Sequence, residues 1–231
     1  MALTQPRSIE QLVEDQARRW ILPHALSAGQ PSPLVITMSR QHGAGGSEVA
    51  RRLCERRRLD LVDHDIIRDI AASAKVSERT IEELDEKDRE VLTEWLLALA
   101  EPRHLDPMGY RYHLTHLVRA IARRGGALIV GRGAHLILTA QEALRVLVVA
   151  PLETRVATVR QREGLSSREA RERIEHVEAE REAFLKRHFH ADFDDSTLFD
   201  LVVNAGDLGI EGAVAAVEAA LSRRLAVRTP A

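Results

Sequence analysis

The stretch Leu34-Val35-Ile36-Thr37-Met38-Ser39-Arg40-Gln41-His42-Gly43-Ala44-Gly45-Gly46-Ser47 decides the fold. Residues 34–38 form a short apolar run of the kind that a strand buried in a parallel sheet requires. The run feeds directly into a glycine-rich turn, after which Val49, Ala50, Leu53 and Cys54 recur at the spacing of a helix's inward face. A strand, a glycine turn and a helix in that order give a phosphate-loop pattern its structural context. Glycine has no Cβ, so successive backbone N–H groups can converge on an anion, and the helix that follows adds the positive end of its dipole. Set against G-x-x-x-x-G-K-[ST], Arg40 stands at the first glycine, Gly45 at the second, Gly46 at the lysine and Ser47 at the hydroxyl. That lysine normally offsets charge between the β and γ phosphates. The same residues also suit a tight strand-to-helix turn that binds nothing.

Outward from this stretch the chain alternates strands with helices. Leu59 to Val62 reads as a second strand ending at Asp63, and helical pattern fills most of 64–124. Ser77 is placed to cap an acidic helix carrying Ile81, Leu84, Val91, Leu92, Trp95 and Leu99. A break from Pro102 to Pro107 precedes a helix bearing Leu114, Leu117, Val118 and Ile121. Strands return at 127–130, 146–150 and 201–203, with two arginine-rich helices between the last two and a final helix over 210–225. This alternation predicts an α/β fold, a doubly wound and mostly parallel five-stranded sheet covered on both faces. Residues 1–33 read as an amphipathic N-terminal helix (9–21) and a turn-rich linker, 34–225 as the main domain, and 226–231 as a tail.

The composition narrows the class. With 231 residues and 45% hydrophobic content the chain can build a sizeable core, and with 3% aromatics that core is aliphatic. A net charge of -2 argues against nucleic-acid coating or electrostatic membrane binding. The single cysteine, Cys54, rules out an internal disulfide and fits a reducing, cytoplasmic setting. The start of the chain has no charged segment followed by an apolar core, and no apolar run reaches membrane-spanning length. His188, His190, Asp192, Asp194 and Asp195 lie close in sequence, but nothing gives them the converging framework of a metal site; a polar loop is the expectation.

Four segments, in order, resemble the cytidylate kinase-like family: 39–46 at the glycine loop, Leu61-Val62-Asp63-His64-Asp65-Ile66-Ile67 at the second strand, Ala127-Leu128-Ile129-Val130-Gly131-Arg132-Gly133, and Leu201-Val202-Val203-Asn204. Together they cover roughly 34–225. The resemblance implies a P-loop kinase fold with a helical lid over about 152–195, which moves the γ-phosphoryl of ATP, with Mg²⁺, to a nucleoside monophosphate or related small phosphate acceptor. In such a protein Arg40, Gly43, Ala44, Gly45, Gly46 and Ser47 would hold the donor phosphates. Ser47 and Asp63 would hold the metal, with Asp63 near the transferred group. Arg132, following a strand at the sheet's carboxyl edge, would grip phosphate with its planar fork. Arg181, in Glu178-Ala179-Glu180-Arg181 where the family carries Asp-x-x-Arg, would serve the transition state. Arg68 and Arg155 would serve the acceptor or the lid.

Each position has a plainer reading. Asp63 suits a helix N-cap, Arg68 a solvent-facing site, and the arginines of 155–187 surface pairs with the glutamates among them. Gly46 at the lysine position, and Gly133 where cytidylate kinases carry Asp, fit a second hypothesis: a nucleotide-binding regulator or scaffold with little chemistry.

Overall fold

The computed structural model describes residues 34–63, 107–193 and 195–228. The helices expected over 9–21 and 64–99, with Arg68, lie outside the described residues. The chain divides into two units, one of 1–31 with 65–117 and one of 32–64 with 118–231. Of the first, only 107–117 is described, as the opening of a helix. The second holds every strand among the described residues.

Five strands form one parallel sheet: β1 (Val35–Arg40), β2 (Asp60–Val62), β3 (Ala127–Val130), β4 (Leu144–Val149) and β5 (Leu201–Asn204), in the order β2-β3-β1-β4-β5. The helices are α1 (Gly46–Arg57), α2 (Pro107–Arg124), α3 (Ala134–Ile137), α4 (Leu152–Glu163), α5 (Ser167–Phe189) and α6 (Ala205–Arg228), the last interrupted at Gly209. The expected strands are all present; β3 keeps its expected bounds, the other four shift by one or two residues at one or both ends, and β1 runs on through Ser39 and Arg40. The short α3 and the 3₁₀ turn at Ser196–Leu198 add to the expected set.

Central strand β1 is apolar because it is buried on both faces. Ile36 and Met38 face a core shared with Val49, Ala50 and Leu53 of α1, and with Val214, Val217 and Leu221 of α6. Cys54 belongs to that core, and burial pushes its thiol up to about 12, so it is an inert packing group. The glutamates and arginines on the outer sides of α1 and α6 pair across the surface, Arg57 with Glu218 at 2.9 Å and both Arg52 and Arg56 with Glu211. Exposed pairs of this kind orient the two helices but add little stability. Among the described residues no helix is long and apolar enough to cross a membrane.

Helices α4 and α5 pack through a small cluster of Val156, Val159, Ala170 and Ile174. Gly164 at φ 70 ends α4, and a reciprocal capping box starts α5: Glu169 N–H donates to Ser166 Oγ at 3.3 Å and Ser166 N–H to Glu169 Oε2 at 2.8 Å. The result is a tight helical hairpin between β4 and β5.

On the opposite face of β1, buried His135 of α3 hydrogen-bonds Ser39 through Nδ1 at 3.1 Å and stacks on Phe199 with centroids 4.6 Å apart. Burial first, and then the Arg145 charge, lower its pKa to about 4. The native ring is neutral, whereas the unfolded ring protonates below about 6.5. This contribution to stability is therefore complete above that value and is lost as pH falls from 6.5 toward 4, by up to about 3 kcal/mol. Urea titrations across that window are expected to show a shallower pH slope for His135→Gln than for the wild type; equal slopes would remove His135 from the account.

Candidate phosphate site at the carboxyl edge of the sheet

Strands β1 and β4 are neighbours, but the chain leaves them in opposite directions, β1 toward β2 and β4 toward β5. Such a switch point opens a crevice beyond the strands' carboxyl ends. Here the two exits are tied together. Gln41 N–H donates to Val148 O at 3.0 Å, and Ala150 N–H donates to Gln41 Oε1 at 3.2 Å. The glycine turn is thereby held against the start of α4.

The turn is curled, not flat. Gly43 and Gly45 both sit at φ 82, and Gly45 is the N-cap of α1 with its carbonyl accepting from Glu48 and Val49. Much of the glycine content answers to packing. A Cβ at Gly43 would lie 2.8 Å from the Arg155 carbonyl oxygen, one at Gly45 would lie 2.5 Å from Ile210 Cδ1, and one at Gly46 would lie 2.5 Å from Arg40 Cβ. Glycine density is thus not by itself a sign of a ligand. The amides are a stronger sign. Ala44 N–H is used internally by Gln41 O at 3.2 Å, whereas those of Gly43, Gly45, Gly46 and Ser47 have no acceptor among the described residues. Ser47 is exposed in the first turn of α1. Convergent amides at a helix start make an anion nest.

Positive charge crowds around this nest. Arg181 of α5 donates from Nη1 to Arg40 O at 2.8 Å. Arg132 lies in the left-handed turn after β3, φ 54, with its guanidinium 5.3 Å from the centre of the Phe184 ring. Arg132 and Arg181 are both lowered to about 10, by burial first and by the Arg40 charge second. His42 is lowered to about 4 by burial and then by the Arg181 and Arg162 charges, with Arg162 Nη2 3.4 Å from its Nε2. Partly buried cations that raise one another's cost of ionisation form a surface suited to a polyanion.

One carboxylate enters the crowd. Glu178 Oε1 accepts from His42 N–H at 3.2 Å and from Arg155 Nη1 at 2.7 Å. Arg155 also donates from Nε to Ala150 O at 3.1 Å, so this buried arginine anchors the start of α4 and holds Glu178. Arg155, expected to serve the acceptor or the lid, thus stands at the start of α4 with its guanidinium on Ala150 O and Glu178. Asp63 lies at the carboxyl end of β2, two strands from β1 and so about 10 Å across the sheet. Several remaining arginines are surface pairs, as their interspersed glutamates suggest: Arg162 and Arg173 with Glu163, Arg168 with Glu172, and Arg171 with Glu153. Sequence reasoning passed over the Glu178–His42 bond and the approach of Ile210 to Gly45. Both join residues more than a hundred apart and leave no local pattern.

A profile of the cytidylate kinase-like family matches residues 35–207. The chain belongs to that family. Two relatives are named cytidylate kinase: one from Ignicoccus hospitalis, 26% identical over 80% of this chain and 96% of its own length, and one from Methanothrix thermoacetophila, 27% identical over 81% and 98%. A solved structure of an uncharacterized protein from Eubacterium ventriosum superposes with a TM-score of 0.61 at 17% identity, covering 82% of this chain and 98% of its own, and shares the fold. Family membership, with the parallel sheet, supports a phosphotransferase of the nucleotide-kinase type.

The loop's packing sets a graded test. Gly43→Ala combines φ 82 with a clash against backbone, whereas Gly126→Ala meets a φ of 65 with nothing within 4 Å. Gly126→Ala is expected to cost about 1 kcal/mol and Gly43→Ala at least about 2 kcal/mol in equilibrium unfolding. Equal costs would contradict the close approach of α4 to the loop.

Proposed function

We propose that this chain transfers the γ-phosphoryl group of ATP to a nucleoside monophosphate or a related small phosphate acceptor. The observation that carries this reading is the crowding of Arg40, Arg132 and Arg181 around four loop amides that have no acceptor among the described residues. Phosphoryl transfer leaves little covalent work to the protein, so catalysis is positioning and charge stabilisation.

The amides of Gly43, Gly45, Gly46 and Ser47 would receive donor phosphate oxygens, with Ala44, whose N–H is held by Gln41 O, shaping the turn between them. Mg²⁺, when bound, would supply positive charge to the phosphate oxygens. Ser47 supplies a hydroxyl oxygen and Asp63 a carboxylate of the hard-oxygen kind that Mg²⁺ prefers, and these two residues would hold the ion. Arg132 approaches from the β3 side and Arg181 from α5, so the migrating group would pass between two forks. Helices α4 and α5 act as the lid, and Arg155 fixes their root. At Gly133 a Cβ would lie 2.5 Å from the Phe189 ring, so a carboxylate-bearing residue has no room there while that ring keeps its place. The acceptor is accordingly assigned by class, a small phosphate monoester.

Glu178 opposes this binding. Its carboxylate occupies the His42 amide, and a phosphate arriving there must displace it or meet its charge.

Two outcomes follow. With ATP, Mg²⁺ and a panel of nucleoside monophosphates, ADP should form, and Arg132→Ala or Arg181→Ala should each lower kcat/KM by about 100-fold. Tight ATP binding with no ADP from any acceptor would favour the regulator reading instead. Glu178→Gln keeps an oxygen acceptor but loses the charge, and calorimetry should show ATP bound about tenfold tighter. Unchanged affinity would place the carboxylate away from the phosphates.

A further inference from the structure

In the phosphate-loop pattern the first position is glycine and the seventh is lysine. Here the first is Arg40 and the seventh is Gly46. The two substitutions look like separate defects in the sequence, but in space they are one. A Cβ at position 46 would lie 2.5 Å from Arg40 Cβ and 3.1 Å from its Cγ, so the two positions compete for the same volume above Val148. Only one of them can carry a side chain. A glycine at the first position leaves room for lysine at the seventh; an arginine at the first demands glycine at the seventh.

The arginine's direction matters as much as its root. Arg40 Nη1 lies 2.6 Å from where a Cβ of Gly131 would be, so the guanidinium runs from the glycine loop toward the turn that holds Arg132. Gly131, at φ 78, leaves that path open. The cation therefore spans the gap between the loop amides and the second phosphate-facing arginine. A lysine at position 46 would start from the helix side of the same gap.

We propose that Arg40 performs the task of the missing lysine, by a reciprocal exchange in which arginine at the first loop position and glycine at the seventh move the loop's cation from the helix start to the strand end. The inference rests on the phosphotransfer reading above. In that reaction the bond from the γ phosphorus to its bridging oxygen breaks, the electron pair stays on the β-phosphate oxygen, and an acceptor phosphate oxygen forms the new bond. Arg40 donates hydrogen bonds to the oxygens on which charge collects and itself gives up no proton. Its planar fork bridges two oxygens where an ammonium meets one, and this suits it to the longer reach from the strand.

The test uses the full chain and four variants: Arg40→Gln, Arg40→Gly, Gly46→Lys and the double Arg40→Gly with Gly46→Lys. Inorganic pyrophosphate and ATP binding are read by calorimetry, turnover by ADP formation, and folding by thermal melting. Arg40→Gln, close in length but uncharged, is expected to melt like the wild type while losing about tenfold in pyrophosphate affinity and more in kcat. Gly46→Lys alone should melt lower and lose activity. The double variant, with its volume conflict relieved and the usual pattern rebuilt, should recover both melting temperature and at least about tenfold of the lost kcat/KM.

Wild-type pyrophosphate affinity in Arg40→Gln would overturn the proposal. So would a double variant that regains its melting temperature but no binding or turnover, since Arg40 would then only fill space. If the wild type binds pyrophosphate, depends on Arg40 for it, and yet yields no ADP with any acceptor, the exchange stands and the kinase reading falls. If the wild type binds neither pyrophosphate nor ATP, both fall.

Discussion

The site is organised by a conflict of like charges. Arg40, Arg132 and Arg181 are brought to one end of a sheet, two of them largely withdrawn from water, and each of those two feels Arg40 as a repulsive neighbour. A fold tolerates this only if something else holds the groups in place. Part of that support is local: Arg181 uses the Arg40 carbonyl as an acceptor, and Arg132 rests over the face of Phe184. The remainder is a cost that a bound polyanion would offset, and this links the packing of the hairpin α4–α5 to the chemistry at the strand ends.

The hairpin is fixed by interactions that serve two purposes. Gln41 ties the exits of β1 and β4, and Arg155 ties α4 to the carbonyl of Ala150 and to Glu178 of α5. The anchor that seats the helices therefore also presents a carboxylate to the loop. His42 is touched on both sides, by Glu178 at its amide and by Arg162 at its ring, so the loop and both helices report to one residue.

Much of the fold was legible in the sequence because parallel strands and amphipathic helices leave periodic marks. The run at 34–38, the strand at 127–130 and the arginine-rich helices after 151 announce themselves within their own windows. The glycine loop was legible in kind, although its glycines serve close packing against Arg155, Ile210 and Arg40 as much as any anion. The partners of Arg155 were not legible, because an arginine in a charged stretch looks alike whether it faces solvent or the Ala150 carbonyl. The bond between His42 and Glu178 spans 136 residues, and no pattern of spacing could have announced it. Arg40 and Gly46 were visible as two departures from a pattern; that they are a single steric event is a fact of three dimensions.

Sheet order also has a consequence for how the chain comes to be folded. β1 has β3 on one side and β4 on the other, with Val35 opposite Ala127 and Ile36 opposite Leu144. On a ribosome, the partners that flank β1 follow it by 92 residues (Val35 to Ala127) and 108 residues (Ile36 to Leu144). Until then the apolar run 35–38 is an unpaired edge, and its closure must bridge long stretches of chain at an entropic cost that slows pairing. The segment that identifies the fold most clearly on paper is thus secured only by strands made long after it.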